Sequence, residues 1–141
     1  YGDTKSTKEV LSDGWFKTGD LGYIDKDGFL FITGRKKNLI ILSNGENILP
    51  EMIEEKLLKD KGVCEVVVDS LNNQLVAYIY PNEEYLGNIT YFNNLIYRYN
   101  KSVPKNHQIS KCILRTREFK KNNNHKILRN KVMEDNNENI N

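Results

Sequence analysis

The chain has 141 residues, 38% hydrophobic and 28% charged, enough to bury the core of one domain with a short extra piece attached. Lys and Arg number 21 against 19 Asp and Glu, a formal charge of +2, which argues against a nucleic-acid binder built on a clustered basic face. No apolar run nears the ~20 residues of a membrane-spanning helix, and Cys64 and Cys112 lack any Cys-x-x-Cys or histidine partner at ligand spacing, so they read as reduced core or subsurface thiols of a cytosolic protein.

Residues 1–13 are polar, with a short helix expected over 6–11 that ends at Asp13-Gly14. The opening Tyr1-Gly2-Asp3-Thr4-Lys5 has no hydrophobic signal core and no initiating methionine, and reads as the middle of a longer protein. Tyr23-Ile24-Asp25 and Phe29-Leu30-Phe31-Ile32 flank Lys26-Asp27-Gly28. Aromatic and β-branched residues on both sides of Asp-Gly predict a hairpin. Leu39-Ile40-Ile41-Leu42 is a continuous apolar run, expected as a buried strand. Pro50 stands at a first helical position, and Glu51, Glu54 and Glu55 fall in the early turns, where the helix dipole favours acids. Ile53, Leu57 and Leu58 supply that helix's apolar stripe, and Gly62 is expected to end it.

Two strands are expected next, over 63–68 and 75–80, joined by the turn Ser70-Leu71-Asn72-Asn73. Tyr91, Phe92, Leu95, Ile96 and Tyr99 recur at helical spacing over 89–103 and read as core. A third strand follows over 109–114, a polar loop over 118–124, and a closing helix over 126–133. The asparagine-rich residues 134–141 read as a disordered tail. Strands and helices alternate from residue 37 onward, which predicts a small α/β domain, in effect α+β, on a mixed sheet.

Several residue types invite chemistry. An ionised Asp20 only accepts hydrogen bonds and suits a ribose diol; equally, it could be a turn carboxylate. Arg35 offers a rigid fork of donors for ribose or phosphate, or for a surface salt bridge. Lys111, Arg115, Arg117, Lys120, Lys121, Lys126, Arg129 and Lys131 crowd the last third, as a solvated face or as attraction for an anionic ligand. His107 has no evident partner, no Ser/His/Asp or Cys/His set is present, and no residue is read as a metal ligand.

Thr18-Gly19-Asp20, then Gly34-Arg35-Lys36-Lys37-Asn38, then Ser43-Asn44-Gly45-Glu46-Asn47-Ile48-Leu49-Pro50 together resemble the adenylate-forming (AMP-forming) enzymes, in wording closest to the fatty acyl-CoA synthetases. The likeness runs from Asp13-Gly14-Trp15-Phe16 to Pro50-Glu51-Met52-Ile53-Glu54 and resumes at His125-Lys126-Ile127-Leu128-Arg129. It implies that residues 1–35 end a large N-terminal adenylation domain, with Trp15, Phe16 and Tyr23 packing there, and that 36–133 form the C-terminal lid. The implied reaction joins a fatty acid to ATP as acyl-adenylate, with Mg2+ held by the N-terminal domain, and then passes the acyl group to CoA. Asp20 and Arg35 would hold the ribose of ATP or AMP, and Lys37 would be the hinge. Gly45, flanked by Asn44, Glu46 and Asn47, would border the CoA pantetheine channel. Lys126 would be the adenylation cation, although His125 stands where the family usually has glycine and Asn122-Asn123-Asn124 replace a threonine-rich approach. Glu54 would be structural. The family's phosphate loop lies in the large domain, so this piece alone is expected to be inactive.

Two rivals remain beside that reading. One is an acyl-adenylate ligase that loads a carrier protein. The other is a non-catalytic module that binds anions or nucleic acid. The favoured reading has the N-terminal domain, the acid, ATP and CoA as partners, without nucleic acid or a transmembrane segment. Its compartment is cytoplasmic, with peripheral membrane association left open.

Overall fold

The computed structural model describes residues 11–12 and 15–132. Strand β1 (Leu11–Ser12) pairs antiparallel with β2 (Trp15–Phe16). Leu11 is therefore a strand residue, not the end of the helix expected over 6–11, whose other residues lie outside the described ones. Strands β3 (Asp20–Ile24) and β4 (Leu30–Arg35) form the hairpin that Asp27-Gly28 foretold. Asp25 makes its turn: Oδ1 accepts the backbone N–H groups of Asp27 and Phe29, both at 2.9 Å, while Gly28 takes φ +88°, a conformation glycine adopts without steric cost. The Tyr23 and Phe31 rings stack across the strands with centroids 5.2 Å apart. Even so, Tyr23, Ile24, Phe29, Leu30 and Ile32 are exposed.

After a 3-10 turn at Lys36–Asn38 come β5 (Ile40–Ile41) and β6 (Asn47–Ile48), a short antiparallel pair. The buried strand expected over 39–42 shrinks to two residues. Ile40 and Leu42 enter the core while Ile41 stays 69% exposed, because alternate side chains of a strand point to opposite faces. Helix α1 (Pro50–Leu58) starts at its proline and carries Glu51 in the first turn, as expected. It ends before Gly62, whose requirement is different: a Cβ there would lie 2.5 Å from the Tyr91 ring.

Strands β7 (Val63–Leu71), β8 (Gln74–Pro81) and β9 (Ile109–Leu114) form a mixed sheet in that order. The β7–β8 pair is antiparallel and the β8–β9 pair parallel, the latter needing a crossover that α2 (Ile89–Lys101) supplies. Asn72 and Asn73 turn the first hairpin at φ 51° and 62°, a left-handed pair that asparagine tolerates better than most residues. On one face Val66, Val68, Leu75, Ala77 and Ile79 meet Ile53 and Leu57 of α1 and Phe92, Leu95, Ile96 and Tyr99 of α2. On the other, Val67, Val76 and Tyr78 are covered by Phe119 and Val132. Strand β8 is thus buried on both sides.

Of the closing helix expected over 126–133, residues 126–131 are not α-helical, Val132 is, and residue 133 lies outside the described ones. Instead the chain turns back on itself, Lys121 bridges Ile127, and only Arg129–Lys131 makes a 3-10 turn. At the start of the expected helix the Asn122 side chain takes the Lys126 N–H instead (see below), the competition by which asparagine disfavours helices.

Three protons in this core are held unusually tightly. The hydrogen bond from Tyr91 to Asp60 Oδ1, at 2.6 Å, raises its hydroxyl to about 12, and burial raises Tyr99 and the Cys112 thiol to about 12 each. The unfolded chain releases these protons nearer their ordinary values, so at alkaline pH it binds fewer protons than the folded one. Stability must then fall as pH rises. The urea midpoint of the 141-residue chain is expected to drop between about pH 9 and about pH 11; a flat profile would contradict these environments.

Candidate functional site

The hairpin register sets Asp20 directly opposite Arg35, and Arg35 Nη1 lies 2.9 Å from Asp20 Oδ1. Both side chains keep exposure, 44% for Arg35 and 28% for Asp20, so the pair adds at most about 1 kcal/mol to stability. Its geometry is set by the backbone around it. Gly19 takes φ +77°, its carbonyl accepts Lys36 N–H at 2.8 Å, and Asp20 N–H reaches Thr18 Oγ1 at 3.2 Å. The two residues given the same role by sequence are therefore neighbours, at the exit of β4.

The 3-10 turn that follows contains Lys37, whose side chain is exposed. Glu51, from the first turn of α1, reaches across it. Its Oε1 accepts Asn38 Nδ2 at 2.6 Å and Arg35 N–H at 3.3 Å. Its Oε2 is buried without a hydrogen-bond partner, close to Gly34, where a Cβ would come within 2.8 Å of it. Beside the turn a cleft of about 280 Å³ is lined by Lys37, Asn38, Ile41, Asp69, Ser70 and Arg129 among others; neither Gly45 nor Lys126 lines it.

Gly45 sits at φ +83° with nothing within 4 Å of where a Cβ would be. Its N–H donates to Leu42 O at 2.9 Å, and Asn44 Oδ1 accepts Glu46 N–H at 3.1 Å. The turn is fastened from outside by Asn73, whose Oδ1 accepts Ser43 N–H and whose Nδ2 donates to Ser43 Oγ, both at 2.7 Å. Glu46 keeps one carboxylate oxygen buried and without a partner, and Asn47 is exposed on β6.

Lys126 lies at the tip of the final hairpin. Asn122 builds this tip: its Oδ1 accepts Asn124 N–H at 2.9 Å and Lys126 N–H at 3.0 Å, and its own N–H donates to Lys126 O at 2.9 Å. His125 takes φ +60°, a left-handed conformation that glycine would adopt without strain. The Lys126 backbone is fixed while its side chain stays exposed.

Sequence reasoning missed the residues that anchor this hairpin. Arg129 grips Glu54 with both nitrogens, Nη1 to Oε1 at 2.7 Å and Nη2 to Oε2. Burial works against the Arg129 charge, yet the hydrogen bonds and charge of Glu54 hold its pKa above the ordinary value. Glu54 is structural, as expected, but as a buried ion-pair partner and not merely as an acid near a helix start. The signal was present: Glu54 shares the inward face of α1 with Ile53 and Leu57, and an acid in an apolar stripe demands a cation. Glu54→Ala is expected to destabilise the 141-residue chain by about 3 kcal/mol, the low end for an orphaned buried charge, because the Arg129 side chain retains 27% exposure. Urea unfolding measures this, and an unchanged midpoint would deny the pair any weight.

Among the described residues, no three His, Cys, Asp or Glu side chains converge as a metal site, and no helix is long and apolar enough to cross a membrane. A family model described as the AMP-binding enzyme C-terminal domain matches residues 37–141. Over 64 residues the chain is 48% identical to the long-chain-fatty-acid–CoA ligase FadD15 of Mycobacterium tuberculosis, covering 45% of this chain and 11% of that protein. Over 86 residues it is 45% identical to a 2-succinylbenzoate–CoA ligase of Listeria monocytogenes, covering 57% of this chain and 18% of that one. The chain thus spans less than a fifth of either curated relative. The solved o-succinylbenzoate CoA synthetase MenE of Bacillus subtilis, in complex with the acyl-adenylate intermediate OSB-AMP, matches with a TM-score of 0.80 at 28% identity, over 94% of this chain and 27% of that chain. With residues 37–141 matched and the fold shared, this chain belongs to the family of AMP-binding enzyme C-terminal domains.

Proposed function

We propose that this chain is the C-terminal part of an ATP-dependent acid–thiol ligase that activates a fatty acid. The acid's carboxylate attacks the α-phosphorus of ATP, and the bond to the bridging oxygen breaks, giving acyl-adenylate and pyrophosphate. The CoA thiol then attacks the acyl carbon and AMP leaves. The observation that carries this reading is the Asp20–Arg35 pair, 2.9 Å apart at the exit of β4 and immediately before the turn at Lys36–Asn38. Acceptor and donor side by side suit a ribose diol, and the turn beside them suits a hinge.

In this reading Asp20 accepts the ribose hydroxyls and Arg35 donates to them. The exposed Lys126 ammonium meets the negative charge that gathers on the α-phosphate and bridging oxygen, a service worth several kcal/mol once water is excluded. Mg2+, bound with ATP by the N-terminal domain, supplies further charge neutralisation on the phosphates. Rotation about Lys37, which stays solvated whichever way the lid faces, brings the Gly45 turn to the reaction centre. There Asn44, Gly45, Glu46 and Asn47 border the pantetheine arm of CoA.

Residues 1–35 are then the end of the N-terminal domain, which the exposed apolar side chains of the β3–β4 hairpin support. Relatives named for a long-chain fatty acid and for 2-succinylbenzoate support CoA ligation of a carboxylic acid; the fatty acid is our choice between them. The test is release of pyrophosphate and AMP by the full-length protein across fatty acids of increasing length, with and without CoA. Acyl-CoA formed only with CoA, and with one chain-length class, is the expected result. Pyrophosphate release that ignores CoA would point to a carrier-protein thiol, and release with 2-succinylbenzoate alone would replace the substrate.

A further inference from the structure

Lys126 lies between two cations that are already committed. On the far arm of its hairpin, Arg129 is locked to Glu54 through both nitrogens. Glu54 is 7% exposed, and its Oε1 also accepts Val68 N–H of β7 at 2.8 Å. Three N–H donors thus converge on one buried carboxylate. On the near arm, Lys121 Nζ lies 2.9 Å from Glu65 Oε2 of β7, and Glu65 Oε1 accepts Phe119 N–H at 3.3 Å. Hydrogen bonds to Glu65 and Glu118 hold the Lys121 ammonium above its ordinary pKa. The arms meet in the Lys121–Ile127 bridge and in the bond from Leu128 N–H to Lys120 O at 2.8 Å.

A two-stranded hairpin is marginal in water without such support, and the lysine it presents must arrive in register with a phosphate. A misplacement of about 1 Å can cost about 10²-fold in rate. Two cations on the arms, each paired with a carboxylate of the folded body, remove that freedom. Glu54 is the more deeply buried of the two carboxylates. It also belongs to α1, whose first turn carries Glu51 and so contacts the backbone of Arg35. One helix therefore ties the ribose-side strand to the lysine hairpin.

We propose that Glu54 and Arg129 are a positioning pair that sets the place of Lys126 for adenylation, with Lys121 and Glu65 steadying the other arm. This rests on the role given above to Lys126. Neither residue of the pair touches substrate; both act through the hairpin. In the 141-residue chain, Arg129→Gln is expected to speed amide exchange at Lys126 and Leu128 by about tenfold or more through opening of the hairpin, while Ala77 and Ile79 of β8, whose exchange reports only the global loss of stability, stay the better protected. In the full-length protein, the same change should lower kcat for acid-dependent pyrophosphate release by about tenfold or more. Thioester formation from supplied acyl-adenylate should persist. Arg129→Lys, which keeps the charge and loses the fork, should restore part of both signals, and it remains informative should Arg129→Gln fail to fold.

Lys126→Ala separates the two ideas, because it should slow adenylation by about 10²–10³-fold without altering exchange. Unchanged hairpin exchange in Arg129→Gln, or an equal fall in both half-reactions, overturns the positioning role. An unsubstituted full-length protein that releases no pyrophosphate with any acid would instead overturn the proposed function, while the exchange measurement still judges whether the pair orders the hairpin.

Discussion

Lys126→Ala in the full-length protein is expected to slow acid-dependent pyrophosphate release by about 10²–10³-fold, the loss typical of removing one preorganised charge-stabilising group. Thioester formation from supplied acyl-adenylate should continue, because the α-phosphate chemistry is already past. The hairpin makes this a clean substitution. Asn122 fixes the tip through the backbone N–H and carbonyl of residue 126, so alanine inherits the same turn and loses only the amine. Stopped assays of the two halves provide the measurement. An equal fall in both would remove Lys126 from the adenylation step and return it to the solvated basic face.

Gly45→Leu should do the opposite, sparing adenylation and stopping transfer to CoA. The Gly45 Cβ direction is open, with no atom within 4 Å, so leucine meets no collision at its Cβ. Its bulk would instead project toward whatever the turn faces. The positive φ adds a backbone cost of about 1–2 kcal/mol for a residue with a Cβ, which Gly45→Ala shares almost without the bulk. The two variants therefore divide the effect. Loss of CoA turnover in the leucine variant alone marks a passage that the side chain blocks, loss in both marks backbone strain, and full turnover in both ends the proposal of a channel.

How much of this could be read from residues alone depended on how local the signals were. The hairpin around Asp27-Gly28, the strand over 109–114 and the apolar stripe of α2 are written in short-range pattern, and the structure has them where the pattern put them. The family too was legible: of the stretches that suggested it, Ser43–Pro50 and His125–Arg129 fall within the matched residues 37–141. The region after residue 118 was not. Lys126-Ile127-Leu128-Arg129 has acceptable helix formers, but Asn122 captures the backbone of Lys126. Arg129, meanwhile, is drawn to a carboxylate 75 residues earlier. The partner of Arg129 has no local signature, whereas the capture by Asn122 spans only four residues. For Glu54, the position near a helix start suggested a dipole effect, and its place in the apolar stripe, which called for a counter-ion, went unread. The resemblance of their motifs could place Asp20 and Arg35 in one role; only the strand register places them face to face.

Glu51 grips the turn ahead of α1 with a single oxygen, leaving the other buried and unmatched. A contact made of two hydrogen bonds to a charged group is worth about 1.5–3 kcal/mol per bond. A barrier of that size is crossed in far less time than the microseconds to milliseconds of domain rotation. Release would even wet the unmatched oxygen. If the lid turns about Lys37, this grip biases how long each orientation is occupied without setting the pace of the swing.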